Sequence, residues 1–204
     1  QGTLWLGTPV GLNRFDRQTE TFQFFPTPSL NAIFEDSQGN FWLGTALGLI
    51  LFDRASETQQ PLIQNDPQDP TSLSGNFVSK IFEDAQGNLW IAAFPESAIV
   101  RFEPATAAFT RFDLPVNPKG SDTPYSLNVD RPRGIVWVNG NQSDSLYTFE
   151  IATGAWQQIP MPRRVTFTRD VEFEPDGTAY TAIAHFPGWH VEDGQSTLIR
   201  VQRN

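Results

Sequence analysis

The sequence predicts an all-β protein, a β-propeller arc of about five four-stranded blade repeats, and three observations predict it. An aromatic residue recurs at one place in five copies of a short motif: Trp5, Trp42, Trp90, Trp137 and Tyr180, spaced by roughly 37 to 48 residues, close to the period of a four-stranded blade. A second register, an apolar and aromatic run ending near an acid, follows the first in every copy at Phe15, Phe52, Phe102, Phe149 and Val201. Helical periodicity is not evident anywhere along the chain.

Each unit reads as strands separated by turns. The innermost strands are predicted at residues 32–35, 78–83, 126–129 and 170–173, all short and rich in β-favouring side chains. An acidic turn ending in glycine comes next, as at Asp36 to Gly39 and Asp84 to Gly87, where glycine can take the positive φ of a tight hairpin. The tryptophan strand follows, then the strand of the second register, then a polar turn and a fourth strand at 21–25, 109–112 or 155–159. The predicted repeats are 1–29, 30–76, 77–122, 123–164 and 165–204, forming one domain over 1–204. The first lacks its innermost strand and the last its outermost, so a small ring and an arc of a larger propeller both remain open. A lone sheet cannot bury both its faces. Stacked blades with the repeated aromatics between them can, and this assigns the tryptophans to the core.

Composition limits the functional classes. The chain has 204 residues, 17 Phe and 6 Trp, enough bulk for packing between sheets. A formal net charge of -9, with no basic stretch, argues against nucleic acid as a partner. Cysteine is absent, which removes disulfides, thiolate metal sites and a cysteine nucleophile. No apolar run reaches the ~18 residues needed to span a bilayer, so this segment is not expected to insert in a membrane.

Two families resemble the repeat. The stretch Ile33 to Thr45 (IFEDSQGNFWLGT), with Gly48 to Arg54 (GLILFDR), resembles the two-component regulator propeller repeat, which builds multi-bladed periplasmic sensor domains attached to histidine kinases that detect oligosaccharides. The second half, with Pro124 to Asp130 (PYSLNVD) and Phe173 to Gly177 (FEPDG), is similar to the streptogramin (virginiamycin B) lyase propellers. The second resemblance implies a metal-assisted elimination that opens a cyclic depsipeptide ester, with His and Glu around a divalent ion such as Mg²⁺. Here only His185 and His190 exist, both in one loop, so the lyase's catalytic set does not carry over residue by residue.

Propeller topology selects site candidates without a motif. Loops entering the innermost strands and loops between the second and third strands emerge on one face. They bring Tyr125, Arg169 and Asp170 from the first set, and Asn139, Asn141, His185, Trp189, His190 and Glu192 from the second. The loop from Ala184 to Ser196 is the longest: its imidazoles, carboxylates and indole could stack a sugar ring or hold a metal through His185, His190 and Glu192, or simply cap the blade's end. Arg169 and Asp170 could orient a polar ligand at the channel or bridge blades.

Intact repeats without a catalytic constellation favour a ligand-binding or sensing module, periplasmic or extracellular, that reads a small polar ligand or oligosaccharide without a cofactor. The alternatives are a lyase-like, metal-dependent carbon–oxygen lyase and a protein-interaction platform. Exposed blade flanks would favour self-association or cover by adjoining blades of a longer chain.

Overall fold

The computed structural model describes residues 3–162, 168–183 and 197–202, and every regular element among them is a β-strand. The described residues form eighteen strands in five antiparallel sheets, in chain order. The first holds β1 (Leu4–Thr8), β2 (Gly11–Asp16) and β3 (Thr21–Pro26). The second holds β4 (Leu30–Glu35), β5 (Phe41–Thr45), β6 (Leu49–Asp53) and the two-residue β7 (Thr58–Gln59). The third holds β8 (Phe77–Glu83), β9 (Leu89–Phe94), β10 (Ala98–Glu103) and β11 (Ala108–Asp113). In the fourth are β12 (Pro124–Asp130), β13 (Ile135–Gly140), β14 (Ser145–Glu150) and β15 (Trp156–Pro160). The fifth has β16 (Thr168–Phe173), β17 (Ala179–Ile183) and β18 (Thr197–Val201). Successive inner strands, β4, β8, β12 and β16, lie against one another, which is the arrangement of blades around a propeller axis.

The two sequence registers turn out to be two halves of one contact. The tryptophan of each of the first three sheets packs on the phenylalanine of the second register in the next sheet: Trp5 on Phe52 at 5.6 Å between ring centroids, Trp42 on Phe102 at 5.5 Å and Trp90 on Phe149 at 5.6 Å, whereas Trp137 of the fourth meets Phe173 of β16 at 5.9 Å. Trp90 and Trp137 are almost wholly buried. Four apolar cores result, one in each gap between successive sheets. The flank of the first sheet that faces away from Trp5 carries Leu4, Leu6, Phe22 and Phe24, all exposed.

The acidic turns do more than reverse the chain. Gly39 and Gly87 take φ of 82° and 83°, the left-handed conformation that their place in the turn requires. The carboxylate of Asp36 accepts hydrogen bonds from the backbone of Gln38 and Asn40, from the Asn40 amide and, at 2.8 Å, from the indole N–H of Trp42. Asp84 repeats the pattern with Gln86, Asn88 and Trp90, the last at 2.9 Å. Burial opposes ionisation of Asp36, but the bonds from Trp42, Asn40 and Gln38 outweigh it and hold the carboxyl below the usual range. The carboxylate thus supplies the acceptor that an indole needs when it is buried. In the fourth sheet Asp130 stands seven residues before Trp137 instead of six, and its carboxylate bonds Arg133, while among the described residues the Trp137 indole nitrogen has no partner.

Sheets are also linked at their turn ends. Glu83, only 4% exposed, accepts from the backbone and hydroxyl of Ser37 in the second sheet and pairs with Arg131 of the fourth at 3.2 Å. At the opposite end, Gly44 lets β5 approach β8 closely: a Cβ there would meet Val78 Cγ1 at 2.7 Å.

Candidate functional site at the channel mouth

Every inner strand begins with a break in its ladder. The register between inner strand and neighbour shifts between Leu30 and Ala32, between Val78 and Lys80, between Pro124 and Ser126, and between Thr168 and Val171. The residues displaced are Asn31, Ser79, Tyr125 and the pair Arg169 and Asp170. A bulge bends the strand and re-aims the side chain of its extra residue, and sheets use bulges where a side chain has to serve a site instead of the ladder.

The first three of these bulges share one cavity of about 360 Å³, lined by Asn31, Phe77, Ser79, Lys80, Phe94 and Tyr125. Phe77 and Phe94 meet edge to face, with ring centroids 6.0 Å apart, and Phe77 keeps 38% of its surface exposed. Asn31 donates to the Val78 carbonyl at 3.3 Å, and the Ser79 hydroxyl donates to the Ala92 carbonyl at 3.0 Å. The fourth bulge reaches the cavity's rim: the Arg169 guanidinium lies 5.4 Å from the centroid of the Tyr125 ring, a cation–π contact. Lys80 of β8 pairs with Asp170 of β16 at 2.9 Å, passing the head of β12, where Ser126 donates to the other carboxylate oxygen at 3.4 Å. Asp170 therefore bridges the third, fourth and fifth sheets, and its ionic partner is Lys80.

The remaining candidates separate. Asn139 is fully buried; its amide donates to Thr181 Oγ1 at 3.2 Å and to the Asp170 carbonyl at 3.4 Å, so it braces β16 from behind the mouth. Asn141 belongs to a different cluster, around the fully buried Asp122. That carboxylate accepts the backbone N–H of Thr123, Asn141 and Gln142, each at 2.8 Å, together with the hydroxyls of Ser143 and Tyr147. Burial, chiefly, pushes the Tyr147 phenol upward, so it stays a neutral donor there. His185, Trp189, His190 and Glu192 lie outside the described residues. Among the described residues no group of three or more His, Asp or Glu side chains could hold a metal ion. A larger cavity, about 430 Å³, lies beside Gly39 and Arg54 at the other end of the strands, but Arg54 is already bonded to Glu35 at 2.8 Å and lies over the Phe41 ring at 4.9 Å.

Ser79, Lys80, Phe77 and Phe94 were not apparent as site residues from the sequence. Lys80 sits 90 residues from its partner, and its strand reads as ordinary inner-strand sequence. One signal was available: a lysine in an inner strand of an acidic protein points toward the axis or must be paired.

The fold and this mouth define a β-propeller arc that presents an axial pocket. Residues 25–46 and 72–94 match the two component regulator propeller family, and both stretches run from an inner strand through the acidic turn into the tryptophan strand. Solved structures agree on the architecture. The extracellular domain of the hybrid two component system BT3049 from B. thetaiotaomicron superposes with a TM-score of 0.76 at 20% identity, over 91% of this chain and 26% of that one. That of BT4673 from the same organism gives 0.69 at 22% identity, over 88% of this chain and 26% of the other. Virginiamycin B lyase from Staphylococcus aureus gives 0.69 at 14% identity, over 97% and 66%. The chain thus spans about a quarter of the length of those extracellular domains. No curated protein matches the sequence.

Proposed function

We propose that this chain is part of an extracytoplasmic sensor, periplasmic or extracellular, whose propeller reads a small polar ligand or oligosaccharide at the channel mouth. The observation that carries the reading is the convergence of bulged residues Asn31, Ser79 and Tyr125 with the Phe77 and Phe94 pair around one cavity. Aromatic faces next to amide, hydroxyl and ammonium groups suit a ring that is apolar on its face and polar at its edge. The two repeat matches and the extracellular domains of similar fold support a sensing role.

Calorimetric titration with a panel of oligosaccharides tests it. Tyr125→Ala and Phe94→Ala should each weaken a binder by about tenfold or more, the equivalent of ~1.4 kcal/mol. Arg54→Ala at the far cavity should leave binding unchanged. Ring opening of a cyclic depsipeptide by the purified chain would overturn the reading in favour of a lyase.

A further inference from the structure

We infer that the gap between the fourth and fifth sheets, at the turn end of the strands, holds a second ligand site, which takes a small uncharged amide. It is independent of the mouth at the opposite end. The repeat departs from its own pattern here in two respects at once. The first is volume. In the ladder of the fifth sheet Val201 lies opposite Ala179, where Phe52, Phe102 and Phe149 lie opposite Phe41, Leu89 and Val136 in the sheets before it. The pair that fills the earlier gaps has shrunk, and a cavity of about 340 Å³ lies beside it, walled by Ile135 and Trp137 on one side and by Gly177 and Thr178 on the other. The second is chemistry. Trp42 and Trp90 each donate their indole N–H to a turn carboxylate, whereas the indole nitrogen of Trp137, a residue only 1% exposed, has no partner among the described residues. A buried donor without an acceptor is costly, so a ligand that brings the acceptor recovers that cost.

The remaining walls select the kind of acceptor. Two carboxylates, Asp130 and Asp176, stand against the one guanidinium of Arg133, so the cavity repels a further anion, and a cation has nothing to offer the indole N–H. An amide meets both demands without net charge: its C=O accepts from Trp137, and its N–H donates to an oxygen of Asp176 or Gln202. The cavity is held open before any ligand arrives. Arg133 donates to Asp130 at 3.3 Å and to the Pro175 carbonyl at 2.9 Å, and it lies across Gly177, where a Cβ would run into its guanidinium. Asp176 and Gln202 are exposed, which puts the entrance on their side.

The test follows the indole N–H resonances of the ¹⁵N-labelled chain during titration with benzamide, benzoate and benzylamine, the Trp137 signal being assigned by its loss in Trp137→Phe. Benzamide should shift that signal in a saturable way while those of Trp42 and Trp90, already bonded, stay in place. Benzoate and benzylamine should bind about tenfold more weakly or worse. Val201→Phe, and Ala179→Leu as a second variant, refill the gap and should abolish the shift, whereas Tyr125→Ala at the mouth should leave it unchanged. In Trp137→Phe the affinity for benzamide, read from the backbone resonance of Gly177, should fall about fivefold, the scale of one neutral hydrogen bond. Benzoate binding as tightly as benzamide overturns the uncharged class. A benzamide shift that survives both refilling variants overturns the location. Absence of any shift overturns the site, and each of these outcomes leaves the reading of the mouth untouched.

Discussion

Replacement of Asp84 by alanine isolates the contribution of the clasp between turn and tryptophan. The carboxylate is fully buried and serves four donors: the backbone N–H of Gln86 and Asn88, the Asn88 amide and the indole of Trp90. Trp90 is itself 0% exposed, so its N–H cannot turn to water, and an abandoned buried donor costs about 1–3 kcal/mol. The turn donors are closer to solvent and recover part of their loss. We expect Asp84→Ala to destabilise the chain by about 3–5 kcal/mol in urea unfolding followed by tryptophan fluorescence. Asp84→Asn should cost less, because it keeps an acceptor for the turn but can place an amide N–H against the indole. As a control, Asp53→Ala removes a similar turn acid whose partners are exposed and should cost less than about 1 kcal/mol. A loss below about 1 kcal/mol for Asp84→Ala would refute the argument that the clasp, and not the apolar gap alone, seats the tryptophan.

Two further outcomes follow from the same structure. Gly44→Ala should destabilise by about 1–3 kcal/mol, because its Cβ would press on Val78, whereas the equivalent place in the third sheet already carries Ala92; a neutral result in thermal unfolding would contradict the close approach of β5 and β8. Asp36 has a carboxyl held below the ordinary value near 4, so its contribution is complete above that value and disappears as pH falls through the depressed one. Urea midpoints should therefore decline as pH falls below about 4, less steeply in Asp36→Asn, and a midpoint rising on acidification would contradict the sign.

Much of the fold was legible because the repeat states it five times. The Trp and Phe registers gave the strand order, and acid and glycine together gave the turns. Less visible was β7, two residues long, which leaves no pattern to read. The clasp was written in the sequence as a six-residue interval from Asp36 to Trp42 and from Asp84 to Trp90, yet acid and indole there read as turn and core separately. The site was legible in part. Tyr125, Arg169 and Asp170 follow from topology, but bulges depend on how two strands fall into register, and a single strand does not show this. Asn139 shares the face and still serves the framework through its side-chain amide, and Asn141 joins the Asp122 cluster through its backbone N–H, since loop position alone does not say which groups look outward.

The ladder breaks at the heads of the inner strands separate two tasks that sheet residues usually share. A residue in register has a neighbour on each side to satisfy, so replacing it disturbs the blade. Asn31, Ser79, Tyr125 and the Arg169 and Asp170 pair stand outside that bookkeeping. Substitutions there leave the Trp and Phe contacts between sheets fixed, at the cost of side-chain bonds such as those of Asn31, Ser79 and Asp170. A handful of positions, one set per blade, can in this way retune what the mouth admits, and a chain assembled from near-identical units can acquire a pocket in which no two walls are alike.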